Sequence, residues 1–393
     1  MRIQTKAVHA GDRKKLPDAV PVTTPIYTAA SFFYESLEDL DRVFAQEKQG
    51  FCYSRYDNPT TGALEELMAS LEGGRGALAC ASGMSALQIA ILTALADRRK
   101  SVVAANALYG ATIRLLQTVL EPLGVESRFV DICDPAAVDK AIAEARPGCV
   151  LMETVSNPLL RVGDIDRIAA LAGAAGAALV VDNTFATPLL VRPLERGAHL
   201  SVHSVTKYLA GHGDVLGGVV ISDAAHYETL RAFSRTYGPV LGPFESYLTL
   251  RGVKTFALRV ERQCANACRV AAWLSSHPAI ERVYFPADPA HPDAEVIRRV
   301  LPPGLFGAIV SFELRNAGRE EVFRFVDRLK LVVRATSLGD VHSMILYPAM
   351  SSHRDIAPKQ RERMGIRDNL LRLSVGIEAA EDVLADFEQA LAA

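Results

Sequence analysis

From about residue 62 to 220, short apolar runs alternate with helical patterns, and this alternation limits the possible folds more than any other feature. Residues 77–80 precede Gly83 and a helical pattern through Leu95. Residues 101–105 precede one through Leu120, 125–130 precede one over 136–145, and 149–152 precede one over 165–174. Parallel strands need long crossovers, commonly helices, so the repetition predicts an α/β domain with a mostly parallel sheet. The run over 178–181 is apolar throughout, as expected of a strand buried on both faces.

Residues 1–60 are rich in Pro, Thr and aromatics and have little periodicity, so they read as an irregular arm that wraps another surface. A long helical pattern runs from about 243 to 275. The tail mixes strand patterns (308–312, 371–375) with helical ones (320–329, 380–391), which predicts a smaller α+β domain. The expected division is an arm over 1–60, an α/β domain over 61–260 and a C-terminal α+β domain over 261–393.

Net charge of −2 gives no electrostatic case for nucleic acid or a membrane surface. The apolar runs are too short or too interrupted to span a bilayer. The six cysteines are scattered, and Cys264 and Cys268 have no histidines at ligand spacing. No metal site and no disulfide are therefore expected, and a cytoplasmic location is.

The apolar run before Asp182 and the Ser/Thr/Gly-rich turn around Lys207 point to chemistry. A carboxylate at a strand end and a lysine in a polar turn are the two anchors that pyridoxal 5′-phosphate requires. The amine condenses with its aldehyde, and the carboxylate keeps its pyridine nitrogen protonated. Ser204 and Thr206 then offer hydroxyls to the phosphate. A lone lysine in such a turn is usually a surface residue; the surrounding residues single this one out. Ser82, Gly83 and Met84 lie between a strand and a helix start, where backbone N–H groups take a phosphate or where a serine simply caps the turn. Tyr109 opens another helix and either stacks on an aromatic cofactor and moves a proton, or only packs. Glu153, Thr154, Ser156, Asn157 and Pro158 follow a further apolar run, at the strand end where open α/β sheets bind ligands.

Residues 180–188 (VVDNTFATP) followed by 204–214 (SVTKYLAGHGD) resemble the Cys/Met-metabolism, or trans-sulfuration, family of pyridoxal-phosphate enzymes. Tyr53, Ser54 and Arg55 with Asn58-Pro59-Thr60, Ser82-Gly83-Met84, Tyr109-Gly110, residues 153–158 (ETVSNP), 337–339 (SLG) and 371–378 (LRLSVGIE) resemble further landmarks of that family, in order and across nearly the whole chain. The resemblance implies an aspartate-aminotransferase-like, type I fold and a homotetramer built as a dimer of dimers with shared sites. It implies that Lys207 carries the cofactor, Asp182 pairs with the pyridine nitrogen, and Gly83, Met84, Ser204 and Thr206 hold the phosphate. Tyr53 and Arg55 reach the phosphate of a neighbouring subunit. Tyr109 stacks on the ring and serves as acid. Arg372 grips the substrate α-carboxylate, with Asn157 and Ser337 beside it.

Within the family, Arg114 matches an arginine typical of cystathionine enzymes and suits a second carboxylate. Ala111 stands where methionine γ-lyases usually carry cysteine. His342 stands where cystathionine enzymes usually carry glutamate, and either tunes side-chain selection or serves as a neutral wall residue. The expected activity is γ-elimination of the cystathionine γ-lyase type. Cystathionine γ-synthase, O-acylhomoserine sulfhydrylase, methionine γ-lyase and an inactive cofactor-binding protein are the alternatives.

Overall fold

In the computed structural model, which describes residues 1–12, 20–97, 99–351, 354 and 358–392, two sheets form the framework. Strands β1 (Gly76–Cys80), β2 (Ser101–Ala105), β3 (Glu126–Val130), β4 (Cys149–Glu153), β5 (Ala178–Asp182), β6 (Leu200–His203) and β7 (Gly218–Ser222) make a seven-stranded sheet in the order β1-β7-β6-β5-β4-β2-β3. Strands β2 to β6 run parallel, and β7 lies antiparallel between β6 and β1. Strands β8 (Ile280–Tyr284), β9 (Ile309–Leu314), β10 (Val333–Arg334), β11 (Met344–Leu346) and β12 (Leu370–Ser374) form a second sheet in the order β10-β11-β12-β9-β8.

The near-continuous apolar strands are buried on both faces. Val150, Leu151, Met152, Leu179, Val180 and Val181 have no exposed surface. Two helices that border the site region begin at side-chain caps. Ser82 caps helix Gly83–Ala94 through the Ser85 amide, and Asn58 caps helix Pro59–Glu72 through Thr60 and Thr61.

The structure departs from four local expectations. Residues 243–276 form two helices, Pro243–Val253 and Phe256–Ser276. The Gly252 carbonyl accepts from Arg259 Nη2 at 2.8 Å and from the Thr255 amide at 3.2 Å, which diverts it from the helical ladder. The helical pattern expected to reach Leu120 is α-helical only over Gly110–Arg114, then π-helical over Leu115–Leu120. Pro122, which has no N–H, follows in a 3₁₀ turn. The arm is not wholly irregular, since it holds helices Ile3–His9 and Leu37–Phe44. The boundary drawn between 260 and 261 falls inside helix Phe256–Ser276.

The two sheets meet over the loop that follows β4. Arg161 makes a two-pronged contact with Asp293, at 2.7 and 2.8 Å, and Ser311 on β9 donates to the Pro158 carbonyl at 2.6 Å. The carboxyl ends of β4, β5 and β6 therefore face elements of the second sheet. Among the described residues no helix is long and apolar enough to cross a membrane.

Candidate active site

Asp182 ends β5 and Lys207 lies in the turn after β6, its neighbour in the sheet. Lys207 Nζ donates to Ser337 Oγ at 3.0 Å. Burial, helped by the positive charge of Arg372, pulls the lysine ammonium down to about 8. Arg372, on β12, is only 3% exposed. Its Nη1 donates to Asn157 Oδ1 at 3.0 Å and its Nη2 to the Ser337 carbonyl at 3.2 Å. Its Nε is buried without a partner. Burial lowers this guanidinium to about 10, and the Tyr109 phenol is close enough to act on it electrostatically. Lys207, Ser337, Arg372, Asn157 and Tyr109 thus gather where the two sheets meet.

Asp182 accepts from the Thr184 amide at 3.0 Å and from Thr184 Oγ1 at 2.5 Å. Burial raises its carboxyl, opposed by these bonds. Thr184 Oγ1 also accepts from the Ser204 amide at 2.9 Å, tying the aspartate to the Lys207 turn. Thr206 Oγ1 donates to the Gly217 carbonyl at 3.3 Å and accepts from its amide at 3.0 Å. Gly83 opens the twelve-residue helix Gly83–Ala94, and a Cβ there would lie 2.8 Å from Ser204 Cβ. Met84 follows in the same first turn. The helix N-terminus therefore closes directly on Ser204, two residues before Thr206.

This arrangement fits pyridoxal phosphate. A glycine-opened helix N-terminus beside Ser204 suits a dianionic phosphate. A carboxylate on one strand end and a buried, easily neutralised amine on the next turn suit the ring and the aldehyde.

Other sequence candidates make contacts of their own. Tyr53 and Arg55 are on the arm. The Arg55 guanidinium donates to the Arg235 carbonyl and lies 4.7 Å from the Tyr56 ring centroid and 5.5 Å from that of Tyr53. Arg55 also borders an arm groove of about 1500 Å³ whose lining includes Phe32, Phe44, Tyr56 and Arg235 and none of the residues around Lys207. Arg114 ends helix Gly110–Arg114 with an exposed side chain. His342 is also exposed, and both its amide and its Nδ1 bond Asp340 Oδ1, at 3.1 and 2.9 Å.

Sequence reasoning placed Glu153 and Thr184 only at ligand-binding strand ends, with no individual role, and passed over Arg259. Glu153 ends β4 directly opposite Asp182. Thr184 links Asp182 to Ser204. Arg259 donates to the carbonyls of Tyr208 and Leu209, immediately after Lys207. Glu153 had a visible signal, a carboxylate closing an otherwise apolar run. Arg259 had none, because its partners are backbone atoms distant in sequence.

Known proteins resemble this chain along its whole length. A family model described as "Cys/Met metabolism PLP-dependent enzyme" matches residues 4–392. An L-methionine gamma-lyase of Fusobacterium nucleatum subsp. polymorphum is 42% identical over 98% of this chain and 97% of its own. An O-succinylhomoserine sulfhydrylase of Pseudomonas aeruginosa is 39% identical over 99% and 95%. The crystal structure of cystathionine gamma-lyase from Lactobacillus plantarum complexed with L-serine superposes with a TM-score of 0.92 at 36% identity, covering 100% of this chain and 99% of that one.

Proposed function

Since the chain belongs to the Cys/Met metabolism family of pyridoxal-phosphate-dependent enzymes, we propose that it is a carbon–sulfur lyase of the cystathionine γ-lyase type. With water, cystathionine would yield cysteine, 2-oxobutanoate and ammonia. The observation that carries this reading is the Lys207–Ser337–Arg372–Asn157 cluster, which sets a proton-accepting amine beside a carboxylate-binding fork.

The proposed roles follow from the side chains. Lys207 would hold the cofactor, Asp182 would keep its ring nitrogen protonated, and Gly83, Met84, Ser204 and Thr206 would hold its phosphate. Bound pyridoxal phosphate supplies an electron sink for the pairs left when protons leave Cα and Cβ. Arg372 binds the substrate α-carboxylate, its fork fixed by Asn157 and the Ser337 carbonyl. Lys207, with its ammonium near 8, takes the Cα proton when displaced. Ser337 Oγ steers that amine, and the Tyr109 phenol gives a proton to the leaving sulfur. Arg114 meets the distal carboxylate, and His342, held by Asp340, borders the same end of the substrate. Tyr53 and Arg55 complete the phosphate site of a neighbouring subunit in a tetramer of two tight dimers. The reaction is cytoplasmic and needs no metal, nucleic acid or membrane.

His342 favours a second reading. Without the usual glutamate, capture of the γ-carbon by a thiol, as in a synthase or sulfhydrylase, becomes the main activity, while Ala111 argues against dedicated cleavage of methionine. Products from cystathionine, methionine, cysteine, and O-acetyl- and O-succinylhomoserine with and without thiol separate these outcomes. The Arg114 contact contributes about 1.5–3 kcal/mol if it persists in the transition state, roughly ten- to a hundredfold in kcat/KM. Arg114→Ala should therefore harm cystathionine turnover far more than methionine turnover. Equal loss on both substrates would remove the case for a dicarboxylic substrate.

A further inference from the structure

The register of the main sheet sets two acids side by side. Glu153 and Asp182 are direct partners in the β4–β5 ladder, so both side chains leave the sheet on the same face. Glu153 is 7% exposed. Its Oε1 accepts from the Tyr109 amide at 2.6 Å, and the Asn157 amide also donates to this carboxyl. Its Oε2 is buried with no partner. Each acid has two donors, the Thr184 amide and hydroxyl for Asp182 and two backbone amides for Glu153, but only Glu153 keeps a buried oxygen that nothing bonds. Among the described residues no side-chain cation bonds either acid.

Two carboxylates paired across adjacent strands, one of them buried, disfavour double ionisation, and the proton settles on the acid with the weaker support for charge. The charged and titratable neighbours agree with this ordering. Asp182 on β5 acts on Glu153 as a like charge, whereas His203 on β6 favours the ionised form of Asp182. Burial, then Asp182, pushes the Glu153 carboxyl well above its ordinary range. Tyr109, on the element packed against Glu153, meets it through its backbone amide.

We propose that Glu153 is a positioning residue of the cofactor site that works as a neutral carboxylic acid. Its Oε1 fixes the Tyr109 amide, and so the start of the helix that presents the Tyr109 ring. Its proton leaves Asp182 as the single anion of the pair. This rests on the proposed cofactor site, but not on which sulfur substrate is turned over.

The test uses the holoenzyme and three variants, Glu153→Gln, Glu153→Ala and Glu153→Lys. The first readout is the pH midpoint of the bound cofactor's visible absorbance. The second is cofactor retention during dialysis against hydroxylamine. Gln keeps the acid's shape, its acceptor and its zero charge. The Gln variant should therefore keep the wild-type midpoint and retention. The Ala variant should lose cofactor several-fold faster, because the Tyr109 amide is released. The Lys variant should lower the midpoint, because a cation beside Asp182 opposes a proton on the cofactor–Lys207 linkage. A lowered midpoint in the Gln variant would show that wild-type Glu153 is an anion and overturn the proposal. Equal retention in the Ala variant and the wild type would overturn the positioning role. Failure of the cofactor reading itself would show in the wild type, as absence of bound cofactor or its attachment to another lysine. Failure of this inference shows only in the variants.

Discussion

Burial and the nearby Arg372 guanidinium both act against the charged form of Lys207, whose ammonium falls to about 8. An exposed lysine would need a pH near 10 to offer a free amine. Apoenzyme should therefore take up cofactor at a rate that rises with pH and levels off above about 8, read from the growth of visible absorbance. A rate still climbing towards pH 10 would mean that the site leaves this lysine unperturbed. Borohydride reduction of the product should fix a pyridoxyl group on Lys207, and a label on another lysine would sink the assignment. Arg372 makes a second, linked prediction. Arg372→Gln removes the fork and should lower kcat/KM for every amino-acid substrate by roughly ten- to a hundredfold. It also removes a like charge near Lys207. The sign is then fixed: the lysine's pKa rises, and the uptake curve shifts to higher pH. A loss of activity with no such shift would mean that the two cations do not feel one another.

The elements that hold these residues differ in how plainly the sequence announces them. The parallel strands were legible because burial on both faces leaves unbroken apolar runs, as in Leu179, Val180 and Val181. The helix start at Ser82 was legible because a cap acts over two or three residues, whereas the helix that Asn58 caps was passed over at the end of a segment read as irregular. The break after Val253 was not legible, because its cause is Arg259 reaching back to the Gly252 carbonyl. The family resemblance named Lys207, Asp182 and Arg372, but Glu153 emerged as a partner of Asp182 only through the strand register. Arg259 carries a prediction of its own. Its guanidinium joins the carbonyls of Tyr208, Leu209 and Gly252, so it clamps the Lys207 turn to the joint between two helices. A Cβ on Gly211, at φ +73°, would strike it. Arg259→Met takes the donor from the Tyr208 and Leu209 carbonyls, while the Gly252 carbonyl keeps the Thr255 amide, and should cost about 2 kcal/mol or more in stability. The resting cofactor spectrum should blur as the turn loosens. A variant as stable as wild type would mean that water satisfies those carbonyls and that the clamp is dispensable.

At the scale of the whole molecule, the chain by itself leaves unusual apolar surface uncovered. Phe33 is 88% exposed, Leu37 79% and Val22 79%, and all three lie on the arm that also carries Tyr53 and Arg55. Apolar surface of this kind marks an association face. In this chain Arg55 is engaged by the Arg235 carbonyl and the rings of Tyr53 and Tyr56, none of which belongs to the Lys207 cluster. Both facts support an arm that completes its neighbour's phosphate site in a two-fold dimer. A shared site makes a quantitative prediction. Arg55→Ala spoils the site of the partner, whereas Lys207→Ala spoils the site of its own chain. In a mixed dimer, one site therefore joins an intact Lys207 to an intact Arg55, and the other site holds both defects. Random exchange gives mixed dimers half of the time, with one working site in two. Mixing the two inactive proteins at equal amounts should restore about a quarter of wild-type activity. Exchange is checked independently with differently tagged subunits. If tagged hybrids form and activity stays at zero, each site is built by one chain alone. Arg55 would then be a structural residue of the arm, and the exposed apolar face would need an explanation other than site sharing.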